Sequence, residues 1–273
     1  MALPVNNDIH NFKILTVHSV IAYLFGYLVV FFAYNSITIL VALFYDIKTI
    51  LYHHKLLFLT SDYSTLWNVD SACYVFSAGS IFLALAILAL IRVYKYYEDY
   101  EGLMKIFLFW IILHSINRII GFFIAGTIWY LYASNVVLDW LYVEYWLRIL
   151  FVVGAIFLIF GIGSKTTKPL LRSSISFKFV ESRKRLFFIW SQAFRTWFIA
   201  TVIIFLINLP EYAYMENFLS VTMFFFLFPS YFNHQTIPIP LSDNKNEEPK
   251  YPIPWRNILY ISLLLLLFRL IFS

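Results

Sequence analysis

The stretch LHSINRIIG holds the residues whose types and spacing best suit chemistry: His114, Asn117, Arg118 and Gly121 fall at i, i+3, i+4 and i+7. That spacing puts all four on one helical face. In an otherwise apolar helix a charge costs roughly 2.5 to 3.5 kcal/mol at the bilayer centre, so this face must turn into a protein interior. Histidine there can move a proton near neutral pH. Arginine can fork onto a carboxylate or phosphate. Counted from Lys105 as the membrane edge, His114 lies about 13 Å deep and Arg118 about 19 Å deep, too far to reach the near surface.

Both groups need partners. Arg195, about 15 Å in from Arg185, is a second deep cation expected level with His114. Glu144 and Arg148 stand at i and i+4 and are expected to pair, with Arg118 reaching up to Glu144; Asp70 is a further acceptor. The polar cluster is therefore His114, Asn117, Arg118, Glu144, Arg148 and Arg195. Its simplest reading is helix-to-helix glue. The alternatives are a substrate or proton pathway, and recognition of an anionic headgroup by the arginines.

Other reactive types lack context. His18 reads as an interfacial anchor, and His53 and His54, next to Lys55, as solvated loop residues. His10 and His234 have no carboxylate or thiolate at ligand spacing, so neither a metal nor a cofactor is expected. Haem would need facing histidines, and only His18 and His114 are placed for it. The HSVIA segment from His18 lacks the glutamate and second histidine of an HExxH zinc protease. Cys73 followed by Arg118 has a superficial similarity to membrane transpeptidases of the exosortase type. The small residues after the cysteine are missing, and no histidine lies between His114 and His234. Cys73, the single cysteine, reads as an inert thiol and excludes an intrachain disulfide.

The elements that must position this cluster follow from composition. Of 273 residues 62% are hydrophobic and 13% charged, and the mean hydropathy is +0.77. Twenty Lys and Arg with fifteen Asp and Glu cannot coat a soluble surface of this size. A soluble enzyme, a nucleic-acid reader and a disordered tail are excluded; the net charge of +5 fits basic loops on one side of a membrane. MALPVNNDIHNFK lacks the pattern of a removable signal peptide.

Runs of roughly 20 apolar residues are needed to cross about 30 Å of hydrocarbon. Seven are found: within Val17 to Tyr45, then Val69 to Ile91, Ile106 to Leu131, Tyr145 to Gly163, Leu186 to Leu209, Asn217 to Phe232 and Trp255 to Phe272. The first is overlong and is expected to tilt, bend at Asn35-Ser36 or continue along the interface. The sixth is short and aromatic, so six spans plus a re-entrant segment is the alternative. The chain is thus expected to be an all-α transmembrane bundle, residues 1–273 forming one integral membrane domain without an internal repeat.

Residues 164–185 carry Lys165, Lys168, Arg172, Lys178, Arg183, Lys184 and Arg185 against Glu181 alone, and are expected to be cytoplasmic. The connection with Glu211 and Glu216 has no Lys or Arg and falls outside. Residues 233–254, with Pro249, Pro252 and Pro254, read as a polar cytoplasmic linker, and Asn135 to Glu144 as a short interfacial helix. This places the N-terminus inside and the C-terminus outside an inner membrane of bacterial or organellar type. The weak point is the loop with Lys48 and Lys55, basic yet outside. With no catalytic motif, the leading expectation is a non-catalytic subunit or scaffold of a larger membrane assembly, its partners the bilayer and other subunits or a second copy. A small-solute or proton-coupled transporter working through the cluster is the alternative, and an intramembrane enzyme the third.

Overall fold

The structure is a computed structural model, and it describes residues 6–97, 100, 102–129, 134–182, 184–211, 213–238 and 251–273. Nearly everything described is helical: α1 (Asn6–Phe44), α2 (Val69–Tyr97), α3 (Met104–Trp129), α4 (Ser134–Trp140), α5 (Tyr145–Arg172), α6 (Arg185–Ile189), α7 (Arg195–Asn208), α8 (Tyr214–Asn233) and α9 (Trp255–Ile271). A π-helical turn, Trp190–Phe194, joins α6 to α7 in one rod.

α1 is the mast of the bundle and packs against α2, α3, α7 and α9. Its 39 residues make a rod of about 58 Å. It passes Asn35-Ser36 without interruption, because the polar side chains bond within the helix: Asn35 Nδ2 donates to the Phe31 carbonyl at 2.9 Å and Thr38 Oγ1 to that of Tyr34 at 3.0 Å. α3 is the most buried span and touches α1, α2, α4, α5 and α8. Close approach is bought by small residues: a Cβ on Gly26 would lie 3.2 Å from the Ile111 nitrogen, and one on Gly163 2.5 Å from the Phe226 carbonyl oxygen.

The π turn has a structural use. Hydroxyls of α1 reach its carbonyls, Thr16 donating to Ser191 at 3.2 Å and Ser19 to Gln192 at 3.0 Å, and Thr196 also donates to Ser191 at 3.2 Å. Trp110 Nε1 then donates to Ser19 Oγ at 2.8 Å, tying α3 to the same point.

α2, α5 and α9 turn large apolar side chains outward, among them Leu85 (64% exposed), Phe157 (72%) and Leu270 (65%). Such a belt has no place in water. Five helices, Ile9–Phe44, Val69–Tyr97, Met104–Ile128, Tyr145–Arg172 and Arg185–Asn208, are long and apolar enough to cross a bilayer, and the chain is a multi-pass membrane protein. The two further runs, expected as spans six and seven, do form helices. α8 has 20 residues but carries Glu216, Ser220 and Thr222, and α9 has only 17 residues, about 26 Å.

Several expectations change. The fourth span does not stop at Gly163: α5 runs on to Arg172 and enters the basic segment, with Tyr94 Oη donating to the Pro169 carbonyl at 2.6 Å. Lys105, in the first turn of α3, is not solvated but 1% exposed, its ammonium 4.7 Å from the Phe177 ring. Residues 45–68 are not a bare loop, since Thr49–Leu51 pairs antiparallel with Leu56–Phe58. Asp46, at φ 58°, reverses the chain after α1 and sends this hairpin back along it. His53, expected to be solvated, is buried because the hairpin docks on the end of α9: its backbone nitrogen donates to the Phe272 carbonyl at 2.7 Å. Most of the expected linker at 233–254, with Arg183 and the end of the expected third span, lies outside the described residues.

Candidate functional site

The face of α3 singled out above points into the bundle: His114, Asn117 and Arg118 are all buried. Asn117 locks α3 to α8, its Nδ2 donating to the Leu219 carbonyl at 2.7 Å while its Oδ1 accepts from Thr222 Oγ1 at 2.7 Å. Gly121, one turn on, is what lets α8 so close, because a Cβ there would sit 2.6 Å from Leu219.

Arg118 does not reach Glu144. Its partner is Glu216 in the first turn of α8, with Nη2 3.0 Å from Oε1 and Nη1 donating to Oε2 at 3.4 Å. The carboxylate gains from the helix N-terminus at which it sits. The guanidinium is also wedged among three rings, 4.4 Å from the centroid of Phe122 and 5.1 Å from those of Phe31 and Tyr34. Both ions are removed from bulk solvent, Arg118 4% and Glu216 3% exposed.

The Glu144–Arg148 pair is not formed either. Arg148 turns back to α4, pairing with Asp139 and donating to Asn135 Oδ1 at 3.1 Å, while Glu144 is exposed at the start of α5 and accepts from Trp146 Nε1. Arg148 thus braces α4 against α5, Glu144 stays at the exposed start of α5, and both lie away from the buried pair. Asp70 is exposed at the start of α2. Arg195, half-buried just after the π turn, makes no ion pair among the described residues and lines neither chamber described below.

Two spaces meet at the Arg118–Glu216 pair. Above it, on the hairpin side, is a cavity of about 390 Å³ lined by Tyr34, Asn35 and Thr38 of α1, His54 to Leu56 of the hairpin, and Glu211 to Glu216 where described. Below it is a chamber of about 20 Å³ lined by Tyr23, Tyr27, His114, Asn117 and Ser220. One water needs about 10 to 15 Å³ by this measure, with two to four polar partners. The pair lines both spaces and so forms the wall between them.

Tyrosine and histidine line the lower chamber as a short polar ladder. Tyr23 and Tyr27 are one turn apart on α1; the His114 ring lies 4.3 Å from that of Tyr23. The Tyr27 hydroxyl, which faces Glu216 and Asn208, and His114 Nε2 are buried and make no hydrogen bond of normal geometry among the described residues, so a water in this chamber would find both as partners. On the other side the bundle is closed by Arg185, which donates to the carbonyls of Val180, His234 and Ile237.

At the rim of the upper cavity, burial lowers the His53 pKa first, and the neighbouring Arg269 adds to it. Burial likewise lowers that of His54, helped by His53 and Lys55. The geometry agrees: His53 Nδ1 faces the Phe272 carbonyl at 3.1 Å and the ring lies against the Arg269 guanidinium, whose charge disfavours a second cation there.

Glu216, Tyr23 and Tyr27 were missed in the sequence. Glu216 passed as an outer-loop acid, although Glu216, Ser220, Met223 and Leu227 recur at helical spacing. Ser19, Tyr23, Tyr27 and Phe31 repeat every four residues along α1, a signal lost among 20 tyrosines. No cluster of three or more His, Cys, Asp or Glu able to hold a metal occurs among the described residues. Comparison with known protein families, with curated proteins and with solved structures finds no match.

Proposed function

We propose that this chain is a small-solute carrier of the proton-coupled kind, which admits a charged solute to the upper cavity and uses the Arg118–Glu216 pair as its gate. The observation that carries this is the shared wall: one buried ion pair lines both the large cavity and the water-sized chamber beneath. Helix glue for a scaffold subunit needs a closed pair but no chamber on either side of it. A solute with its own charges can compete for Arg118 or Glu216 and so loosen the gate. His114 and Tyr27 stand directly below to pass a proton on.

The same reading takes seven crossings, with the N-terminus and the basic segment 164–185 inside and the hairpin and C-terminus outside. Contacts at the two ends of α9 support this. Tyr251, just before it, donates to Asn11 Oδ1 at 3.0 Å, and its carbonyl faces His10, while Phe268 and Phe272 near its end pack on Phe32. From His10 to Phe32 is about 33 Å along α1, one hydrocarbon thickness. α8 likewise runs from the cavity at Glu216 to Arg185 at the other end.

Thiol accessibility tests both parts in a Cys73→Ser background. An impermeant reagent added outside sealed cells should label Asp62→Cys and Thr38→Cys but not Ser182→Cys. Ile204→Cys, which lines the lower chamber, should become reactive only when Glu216→Gln opens the gate. Outside labelling of Ser182→Cys would reverse the orientation, and labelling of Ile204→Cys with the pair intact would remove the gate.

A further inference from the structure

A second space adjoins the upper cavity. It is a groove of about 450 Å³ between α2, α3, α4 and α5, walled by Ile119, Phe123, Leu138, Phe151, Ala155 and Leu158. Phe76 and Phe122 line both the groove and the cavity, so the two are neighbours across a single aromatic partition. Phe122 is also the ring nearest Arg118. At the groove rim Phe151 and Leu158 are 46% and 51% exposed on α5, a helix whose outward face belongs to lipid.

The groove opens along the hairpin-side half of α5: measured from Tyr145 at its start, Phe151 lies about 9 Å and Leu158 about 20 Å along a helix of 28 residues. The cavity, in contrast, is charged and balanced. Arg118 and Lys55 are matched by Glu216 and Glu211, and this leaves no net charge to select a simple anion. A ligand that answers both signs carries an anion and an ammonium together.

We infer that the cavity and groove form one site for a zwitterionic lipid of the hairpin-side leaflet, its phosphate-ammonium headgroup in the cavity and an acyl chain in the groove. This rests on the cavity being a ligand site closed by the Arg118–Glu216 pair, as proposed above, and it puts a lipid headgroup where that reading has a free charged solute. The headgroup phosphate faces Arg118 and Lys55, the ammonium faces the two glutamates, and the chain leaves between Phe76 and Phe122.

The test uses the purified full-length chain in delipidated detergent micelles, titrated with dioleoylphosphatidylethanolamine, dioleoylphosphatidylglycerol and chain-free glycerophosphoethanolamine, with adducts counted by native mass spectrometry. The ethanolamine lipid should bind more tightly than the glycerol lipid. Ala155→Phe, which puts a ring in the groove, should weaken the ethanolamine lipid by about tenfold and leave glycerophosphoethanolamine unchanged. Leu158→Trp, at the lipid-exposed rim, is a second obstruction that leaves the core untouched, and unchanged melting of either variant excludes misfolding. Equal binding of the two lipids overturns the zwitterionic assignment. Lipid binding indifferent to both obstructions overturns the groove while the cavity reading stands. If no probe binds and Glu216→Gln changes nothing, the cavity reading falls as well.

Discussion

Replacing Glu216 by leucine strands Arg118 in the centre of the bundle, and the structure sets the size of the loss. Arg118 is 4% exposed and its two contacts to Glu216, at 3.0 and 3.4 Å, are its only ion pair among the described residues. Removing one member of a buried pair costs about 3 to 5 kcal/mol. The rings of Phe31, Tyr34 and Phe122 are in place before and after the change, so they do not offset the difference. The cavity of about 390 Å³ gives water a route to the guanidinium, which favours the lower end of the range, about 3 kcal/mol. That is a large share of a typical stability of about 5 to 15 kcal/mol. The double variant Arg118→Leu with Glu216→Leu removes both desolvated charges and should recover most of the loss while abolishing ligand binding. The assay is reversible unfolding in mixed micelles by SDS, followed by tryptophan fluorescence, for wild type, both single variants and the double. A loss under about 1 kcal/mol for Glu216→Leu is what a solvated surface pair gives, and it would refute the buried gate.

Two other perturbations reach parts of the fold away from the pair. Gly163→Ala places a methyl 2.5 Å from the Phe226 carbonyl oxygen, a backbone atom that cannot step aside, so α5 and α8 should separate at a cost of about 1 to 3 kcal/mol; an unchanged melting temperature would contradict the close approach. Docking of the hairpin on α9 should weaken in acid. His53 and His54 have lowered pKa values when folded, so the unfolded chain binds their protons first; stability is full above about pH 6.5 and falls as the pH drops below it. Hydrogen exchange of the His53 amide, bonded to Phe272, should speed up between pH 7 and 5, and His53→Gln should flatten that response.

What the sequence determined by itself was whatever depends on local spacing. The apolar runs fixed the membrane class and the places of the long helices, because a bilayer imposes one length on every crossing. The i, i+3, i+4, i+7 pattern fixed the inward face of α3, because desolvating His114 and Arg118 toward lipid is too costly to occur. Tertiary structure decided the partners. Helical spacing made Glu144 and Arg148 look like a pair, but Arg148 found Asp139 on α4, and Arg118 found Glu216, 98 residues away. Arg195 has the same depth argument as His114, yet, placed directly after the π turn, it lines neither chamber. Nor did sequence place the hairpin or bury His53, since that depends on α9 ending where residues 49–58 fold back. Periodicity specifies which way a side chain leaves its own helix, whereas a cavity exists only where several helices fail to fill the space between them, and that is set by their packing.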